Sequence, residues 1–336
     1  MNRRPRYFLG VDGGQTSTLT VLVNQDGEIL ASALSGPCNH IHEPGGLERQ
    51  YRALREGYEQ VMAAAGVTDE LACAYLGLTG SGSLEVATSV YRAARLVLKS
   101  DTVTALAGAI PEMVGVIVIS GTGSVAYGRN ASGAEALAGG MGYFAGDEGS
   151  GYEIAQRGIQ AIYQAADGRG PQTLLTDLIL AGFECQTLRE LHYKIYSGAL
   201  SRDQLARAAS MVGRAASRGD TVAIRILANA GNELGRAVAA VLTRLEMTAT
   251  PVPVAPIGGV FKSGHLVTDP LLARVHQTNP QAYLTPPRFI PAIGAAILAL
   301  REGGIMIDEH ILAALERTRE RLAVGASGEK FTLEKD

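Results

Sequence analysis

A strand–turn–strand–turn–strand pattern occurs twice in this chain of 336 residues. The first turn of one copy, residues 12–16, aligns with residues 120–124 of the other, and both turns are rich in glycine and hydroxyl residues. The second turn, residues 24–27, aligns with residues 130–133 and has Asn first and Gly last in each copy. An internal repeat of this kind indicates a duplicated domain, unless two ordinary hairpins coincide.

The length fits two domains, and no Pro- or Ser-rich linker separates them. We therefore predict an α/β fold of two duplicated lobes, each with a mixed sheet that opens on an antiparallel three-strand unit. The first lobe covers residues 1–115 and is completed by residues 290–336. The second covers residues 116–289 and carries a helical insertion.

Composition excludes several classes of protein. Hydrophobic residues make up 46% of the chain and charged residues 19%, which excludes disorder as the main state. A net charge of −3 without a long basic run gives no footprint for nucleic acid. No apolar run is long enough to span a membrane, and the apolar stretch at residues 7–11 is too short for a signal peptide.

The cysteines and histidines offer no framework for a disulfide or a metal site. Cys38, Cys73 and Cys185 are odd in number and far apart, which is typical of reduced thiols in a cytoplasmic protein. We expect Cys38 to be a small buried side chain. His40 and His42 lie two residues apart with no third ligand at metal spacing, so we expect no metal there.

Spacing of apolar residues predicts the remaining elements. Strands are expected over 72–78, 95–98 and 251–255, and the charged tail after Arg317 is expected to be loosely held. Helices are expected over 45–65, 83–94, 101–109, 148–166, 173–180, 188–196, 201–217, 221–245, 266–277 and 291–301.

The first glycine turn has the composition of a phosphate cradle. Gly13 and Gly14 free the backbone so that amides can point at an anion, and Gln15 and Thr16 add polar groups. A carboxylate at the end of the first strand, Asp12, repels phosphate but can hold water-bound Mg²⁺. The alternative is a glycine hairpin with a polar face.

The second glycine turn follows the most apolar strand of the chain and supports the same interpretation. Its residues are Gly121, Thr122, Gly123 and Ser124. Two such turns from duplicated halves, facing each other, would provide the donors that a triphosphate needs.

A third glycine turn comprises Gly258, Gly259 and Val260, after a predicted strand. A Gly-Gly step lets the backbone approach a flat ring such as adenine, although a plain strand-to-helix turn is the alternative. Phe261 precedes Lys262 where a P-loop requires Gly, so that class is excluded. No G-x-G-x-x-G opens a helix after the first strand, which argues against a dinucleotide enzyme.

In this order, the three turns resemble the phosphate-1, phosphate-2 and adenosine motifs of the actin/hexokinase/Hsp70 superfamily. More closely, residues 6–302 resemble the N-acetylglucosamine kinase family, of the BadF/BadG/BcrA/BcrD ATPase type, which includes glucosamine kinases. The most specific likeness is residues 139–151, which look like that family's glycine-rich sugar loop. Residues 291–296 look like its second connecting helix. The resemblance implies actin-like (ribonuclease H-like) lobes with ATP and sugar in a cleft between them.

Individual roles follow from the resemblance. Asp101 stands where these kinases keep the catalytic aspartate, while Asn39 and Asp147 match sugar-binding residues, and Gly140 and Met141 belong to the sugar loop. Relatives often carry Trp where this chain has Met141. Either aspartate could instead simply cap a helix, Asp101 the one that it begins and Asp147 the one that follows it.

The function implied is transfer of the γ-phosphoryl group of ATP, with Mg²⁺, to the 6-hydroxyl of N-acetylglucosamine or glucosamine. The sequence leaves open whether the sugar is acetylated, a free amine or a muramyl sugar. One alternative is an ATPase that activates a redox enzyme, although Val118-Ile119-Ser120 holds no cysteine for a shared iron–sulfur cluster. A second is a binding regulator without catalysis. Nucleic acid and membrane are not expected partners, and relatives make a homodimer an open prediction.

Overall fold

The protein was analysed as a computed structural model that describes residues 5–39, 41–80 and 82–322. Its internal contacts divide the chain into two units, Met1–Met113 with Pro287–Asp336 and Val114–Pro286. Residues 323–336, most of the tail predicted to be loosely held, lie outside the described residues. Each unit contains one five-stranded mixed sheet with helices packed on it.

The sheet of the first unit has the strand order β3-β2-β1-β4-β5. The first three strands form an antiparallel meander, and β4 and β5 run parallel to β1. Asn24 closes the turn after β2, because its side-chain oxygen accepts the amides of Asp26 and Glu28 at 3.0 and 2.9 Å. The strands are β1 (Tyr7–Gly13), β2 (Thr18–Asn24), β3 (Ile29–Ser35), β4 (Cys73–Leu78) and β5 (Leu96–Ser100).

The sheet of the second unit repeats this order as β8-β7-β6-β9-β10, again with a three-strand antiparallel meander and two further strands parallel to its first strand. The predicted duplication in an α/β fold with mixed sheets is therefore confirmed. The strands are β6 (Gly115–Ser120), β7 (Ser124–Arg129), β8 (Glu135–Gly139), β9 (Pro253–Ile257) and β10 (Tyr283–Leu284).

The helices cover the sheet faces of each unit. In the first unit they are α1 (Gly46–Ala65), α2 (Leu84–Val90), α3 (Asp101–Ala109), α12 (Pro291–Glu302) and α13 (Glu309–Thr318). In the second unit they are α4 (Gly142–Ala145), α5 (Gly151–Ala166), α6 (Leu175–Gly182), α7 (Leu188–Tyr196), α8 (Arg202–Ala206), α9 (Ala208–Ala216), α10 (Thr221–Arg244) and α11 (His265–His276).

No described helix combines the length and the apolar character that a bilayer span requires.

Several predicted boundaries differ from the structure for local reasons. The helix expected over 83–94 ends at Val90, because Arg92 and Ala94 pair with the backbone of Leu71 instead. The helix expected over 201–217 is divided into α8 and α9 at Arg207, where the hydrogen bonds tighten to i→i+3. The described start of the tail is held on β3, since the Arg321 guanidinium donates to the carbonyl of Ile29 at 2.8 Å.

Helix α12 is buried along most of its length and packs on β1 and α3. Two glycines allow this approach. A Cβ atom on Gly10 of β1 would lie 2.2 Å from the amide nitrogen of Ala296, and one on Gly294 would lie 2.0 Å from the carbonyl oxygen of Thr104. Backbone atoms line both positions, so the neighbours cannot turn aside as a side chain would.

We expect Gly294→Ala to lower the free energy of unfolding by about 3 kcal/mol, the upper range for overpacking a core. An alanine inside a helix normally stabilises it relative to glycine, so the sign of the change reports the packing alone. Gly36→Ala is the control, because a Cβ atom there meets nothing within 4 Å. Urea denaturation of both variants tests this; equal stability of Gly294→Ala and wild type would contradict the packing.

Candidate active site

Three neighbouring parallel strands of the first unit end at one sheet edge, and each brings a polar residue there. Asp12 lies near the end of β1, Thr79 directly follows β4, and Asp101 directly follows β5. The amide of Thr79 donates to the carbonyl of Gly13 at 2.9 Å, which continues the β1–β4 pairing beyond the strand. The carboxyl ends of parallel strands are where open α/β sheets bind ligands.

Asp101 is held by hydroxyl groups on two sides. The Thr79 hydroxyl donates a short hydrogen bond to its Oδ2, and the Ser100 hydroxyl donates to its Oδ1 at 3.1 Å. Ser100 is also the N-cap of α3, since its Oγ accepts the amide of Thr102 at 3.3 Å. The alternative that Asp101 itself caps this helix is therefore wrong: it occupies the first helical position, with its carboxylate fixed in orientation.

Thr79 is a site residue that the sequence analysis missed. It begins the sequence Thr79-Gly80-Ser81-Gly82, which follows a strand and is rich in glycine and hydroxyl residues, as the other three turns are in glycine. That pattern was the available signal. Its partner Asp101 lies on another strand, so the contact itself depends on the β4–β5 pairing.

Asp12 is half-buried at the same edge. Burial, and secondly the negative charge of Asp101, raise the pKa of the Asp12 carboxyl to about 7. Within the described residues its carboxylate receives no hydrogen bond. No basic side chain of the described residues forms an ion pair with Asp12 either.

The pair of carboxylates fits Mg²⁺ bound largely through water. Carboxylate oxygens are the donors that Mg²⁺ prefers, and the ion usually keeps several waters beside one or two carboxylates. In the described part of the chain, no cluster of three or more His, Cys, Asp and Glu side chains could hold a metal directly. His40 lies outside the described residues, so the expectation for the His40/His42 pair concerns His42 alone here.

The first glycine turn is shaped by close packing beneath it. A Cβ atom on Gly13 would lie 2.3 Å from the Cys38 sulfur, so glycine is required there. The amide of Gly14 donates to the carbonyl of Ser17 at 2.9 Å, which closes the turn. Gln15 and Thr16 are exposed at its tip, where a ligand can reach them.

Cys38 and Asn39 lie behind this turn. Cys38 is a buried free thiol, as expected, and burial is the main cause that raises its pKa to about 11. Its amide donates to the carbonyl of Gly14 at 3.4 Å. Asn39 is also buried, and its carbonyl accepts a hydrogen bond from Arg49 at 3.0 Å. Asn39 thus belongs to the same unit as Asp12 and Asp101.

The second glycine turn, in the second unit, uses part of its own amides for structure. The amide of Gly121 donates to the carbonyl of Gly123 at 2.9 Å, and that of Ser124 donates to Oδ1 of Asp147 at 3.2 Å. No backbone hydrogen bond in the described chain uses the amides of Thr122 and Gly123. The expectation that all four amides face a phosphate is therefore narrowed to these two.

Asp147 supports the second turn rather than a helix. It is buried with a left-handed φ of 61°, and its carboxylate lies against Gly123 and Ser124. The N-cap of α5 is Ser150, whose Oγ accepts the amide of Glu153 at 3.2 Å. The alternative that Asp147 caps this helix is therefore wrong, and α5 begins at Gly151 rather than at Glu148.

The start of α5 also braces the second turn. The amides of Gly151 and Tyr152 donate to the carbonyls of Gly121 and Thr122 at 2.8 and 3.3 Å. These carbonyls are thereby turned toward the helix. The other two predicted residues of the sugar loop, Gly140 and Met141, are exposed, Met141 to 68%.

The third glycine turn meets the second through backbone. Gly258 has a φ of 114°, and a Cβ atom on it would lie 2.3 Å from the carbonyl oxygen of Ser120. Gly259 and Val260 begin a short 3₁₀ helix, Gly259–Ser263. The second unit thus brings together two of the three predicted nucleotide motifs.

A cavity of about 640 Å³ opens beside these two turns. Gly121, Thr122, Gly259 and Val260 line it, together with α9 residues that the sequence analysis missed. The signal for these was a glycine inside a helical pattern, Gly213, whose Cβ position lies 3.2 Å from the Ser263 hydroxyl. The missed lining residues are Ala209, Ser210, Gly213 and Arg214 of α9, with Ser217 directly after the helix.

Comparison with known protein families identifies the family to which this chain belongs. The profile of the BadF/BadG/BcrA/BcrD ATPase family matches residues 9–299. The chain belongs to this family. Among characterised relatives, the N-acetylmuramic acid/N-acetylglucosamine kinase of Clostridium acetobutylicum is 31% identical over 305 residues, which cover 88% of this chain and 99% of that protein. The N-acetyl-D-glucosamine kinase of Dictyostelium discoideum is 28% identical, over 87% and 97% of the two chains.

A solved structure shares the fold. The crystal structure of a protein from Chromobacterium violaceum, provisionally assigned as an N-acetylglucosamine kinase, has a TM-score of 0.70 to this chain. The two are 31% identical, and the match covers 88% of this chain and 99% of the other. The family resemblance drawn from the glycine turns is therefore confirmed.

We expect Asp12→Asn to stabilise the protein in the absence of divalent cations. The folded state raises the pKa of Asp12, so it binds more protons than the unfolded state between about pH 4 and pH 7. The stability from this group is therefore lost as the pH rises through about 7. The variant should exceed wild type by about 2 kcal/mol at pH 8, and the difference should vanish near pH 4. Urea denaturation across this pH range, without divalent cations, measures it.

The matched control is Asp26→Asn, which changes an exposed aspartate of the same unit. It should show no difference from wild type that grows with pH. If Asp12→Asn is no more stable than wild type at pH 8, the Asp12 carboxylate is not strained by its surroundings.

Proposed function

We propose that this protein is an ATP-dependent amino-sugar kinase, which transfers the γ-phosphoryl group to the 6-hydroxyl of N-acetylglucosamine or glucosamine. One observation carries the proposal: Asp12 and Asp101 lie at the same sheet edge, beside a glycine turn, in a chain whose relatives are named amino-sugar kinases. Those relatives favour a sugar kinase over an activator of a redox enzyme.

Asp101 is the proposed catalytic base. The sugar hydroxyl gives its proton to the Asp101 carboxylate, its oxygen forms a bond to the γ-phosphorus, and the bond from that phosphorus to the leaving ADP oxygen breaks. Thr79 and Ser100 orient the carboxylate through their hydroxyl groups. Phosphoryl transfer asks a protein mainly for such positioning and for neutralisation of charge.

The nucleotide is proposed to contact the three glycine turns. The first turn would face its phosphates with the amides of Gln15 and Thr16, on a bend that Gly13 and Gly14 form and that the Gly14 amide closes onto Ser17. The amides of Thr122 and Gly123 would face the same phosphates, while Gly258, Gly259 and Val260 would contact adenosine. Asp12 would hold Mg²⁺ through water, and the ion would supply positive charge that neutralises the phosphates.

The sugar is proposed to contact Asn39, Gly140, Met141 and Asp147. Met141 offers an exposed thioether, an adaptable apolar contact for an acetamido group. Asp147 already accepts a hydrogen bond from one amide through Oδ1, and its second carboxylate oxygen can accept a hydrogen bond from a sugar hydroxyl.

Three buried free thiols fit a cytoplasmic location, and a homodimer stays a prediction.

We expect Asp101→Asn to lower kcat for the sugar by about 10²-fold or more, the range that a positioned base contributes. The amide keeps the size of the carboxylate, so affinity for ATP and sugar should persist. Isothermal titration and a coupled ADP-release assay measure the two quantities. Asp69→Asn, an exposed aspartate of the same unit, is the control and should match wild type. Turnover of Asp101→Asn near the wild-type rate would remove Asp101 as the base.

A panel of acceptors tests the substrate class. ADP release should be stimulated by glucosamine or N-acetylglucosamine more than by glucose, with N-acetylmuramate deciding whether the site admits a lactyl group. ADP release that no sugar stimulates would contradict the kinase proposal and favour an ATPase.

A further inference from the structure

A second cavity of the second unit, about 680 Å³, has no part in the proposed reaction. It is lined mainly by residues of α5 and α7, and we call it the α5–α7 groove. Its volume lies in the range of small-molecule sites. The lining residues that carry polar or aromatic groups toward a ligand include Tyr152, Gln156, Gln160, Gln164, His192 and Tyr196.

One face of α5 supplies the groove with amides at regular spacing. Tyr152, Gln156, Gln160 and Gln164 are each four residues apart, which aligns them along one side of a helix. The three glutamines are exposed, and their side-chain amides have no hydrogen-bond partner among the described residues. Each amide can donate and accept, as hydroxyl-rich ligands require.

Helix α7 supplies aromatic side chains to the groove, in contrast to the polar amides of α5. The rings of His192 and Tyr196 lie 4.5 Å apart and tilt by 40°. Tyr196 is 79% exposed, so much of its ring is open to contact. Arg169, a charged residue of the lining, is paired with Asp167 at 2.7 Å. The groove therefore offers aromatic surface and neutral amides, which suit an uncharged saccharide better than an ionic ligand.

The groove lies next to the glycine loop that resembles a sugar loop, and an aromatic contact joins the two. Tyr152 lines the groove, and its ring meets that of Tyr143 edge to face at 5.4 Å. Tyr143 lies in the loop of residues 139–151, between Met141 and Asp147. Arg202 of α8 stacks over the same ring at 5.5 Å, and Leu205 of that helix lines the groove.

We propose that the α5–α7 groove is a subsite for a second, uncharged sugar ring, so that the acceptor of this enzyme extends to a disaccharide of N-acetylated amino sugars. This inference rests on the proposed function, because it names an acceptor of the same site. The glutamine amides would bind hydroxyl and acetamido groups of the second ring, and the tyrosine rings would pack on its apolar face.

The experiment compares N,N′-diacetylchitobiose with N-acetylglucosamine in ADP-release assays. Gln160→Ala and Tyr196→Ala should each lower kcat/KM for the disaccharide by about tenfold and leave that for the monosaccharide within about twofold. Tyr193→Ala is the matched control, because Tyr193 is an exposed tyrosine of the same helix outside the groove lining. Equal losses for both sugars, or the same loss in Tyr193→Ala, would overturn the subsite.

Titration of the disaccharide into the full chain, without ATP, separates this inference from the kinase proposal. Disaccharide binding that Gln160→Ala weakens about tenfold supports the groove even where no sugar is phosphorylated, an outcome that defeats the kinase proposal alone. The opposite outcome defeats the groove alone. In that outcome the enzyme phosphorylates the monosaccharide, binds the disaccharide no more tightly than the monosaccharide, and keeps the same disaccharide affinity in Gln160→Ala.

Discussion

Burial of the Asp12 carboxyl group, beside the like charge of Asp101, is the constraint on which the candidate site depends. The fold brings both groups to one sheet edge and half-buries Asp12 there, so that its pKa rises to about 7. Two hydroxyl groups hold Asp101 in place, while Asp12 has no donor among the described residues. The site is therefore a region of negative charge that a hydrated cation would neutralise. Without a cation, we expect the charged form of Asp12 to lower the stability of the protein.

The duplicated halves have used the same turn in different ways. Ser120 aligns with Asp12, but it is buried and its hydroxyl donates to the carbonyl of Gly149 at 2.8 Å. Ser124 likewise donates its hydroxyl to the carbonyl of Glu148 at 2.7 Å. In the second unit these bonds tie the turn to the loop before α5. The turn of the first unit therefore has a carboxylate without a hydrogen-bond donor among the described residues. The turn of the second unit uses its hydroxyl groups in hydrogen bonds to the backbone.

The sequence analysis succeeded where structure is set locally. Gly27 and Gly133, with Asn24 and Asn130 before them, define hairpin turns through their own φ angles and side-chain hydrogen bonds, and both meanders follow from them. The spacing of apolar residues predicted helices α1 and α5 correctly, although α5 begins three residues after its predicted start. Both Asp147 and Ser150 are residue types that favour the N-cap position. Only the backbone geometry shows that Ser150 is the N-cap, since Asp147 has a left-handed φ.

What the sequence analysis missed depends on contacts between distant segments. Thr79 reaches Asp101 only because β4 and β5 are neighbours. Gly258 was predicted, but its close approach to the end of β6, at a φ of 114°, was not. Strand β10 has two residues, too few for any alternation to register.

A crystal structure with a non-hydrolysable ATP analogue and Mg²⁺ tests the central claim most directly. The account predicts the metal ion within one water molecule of the Asp12 carboxylate, with the terminal phosphate on the side of Asp101. A metal ion and triphosphate bound away from both aspartates would contradict it.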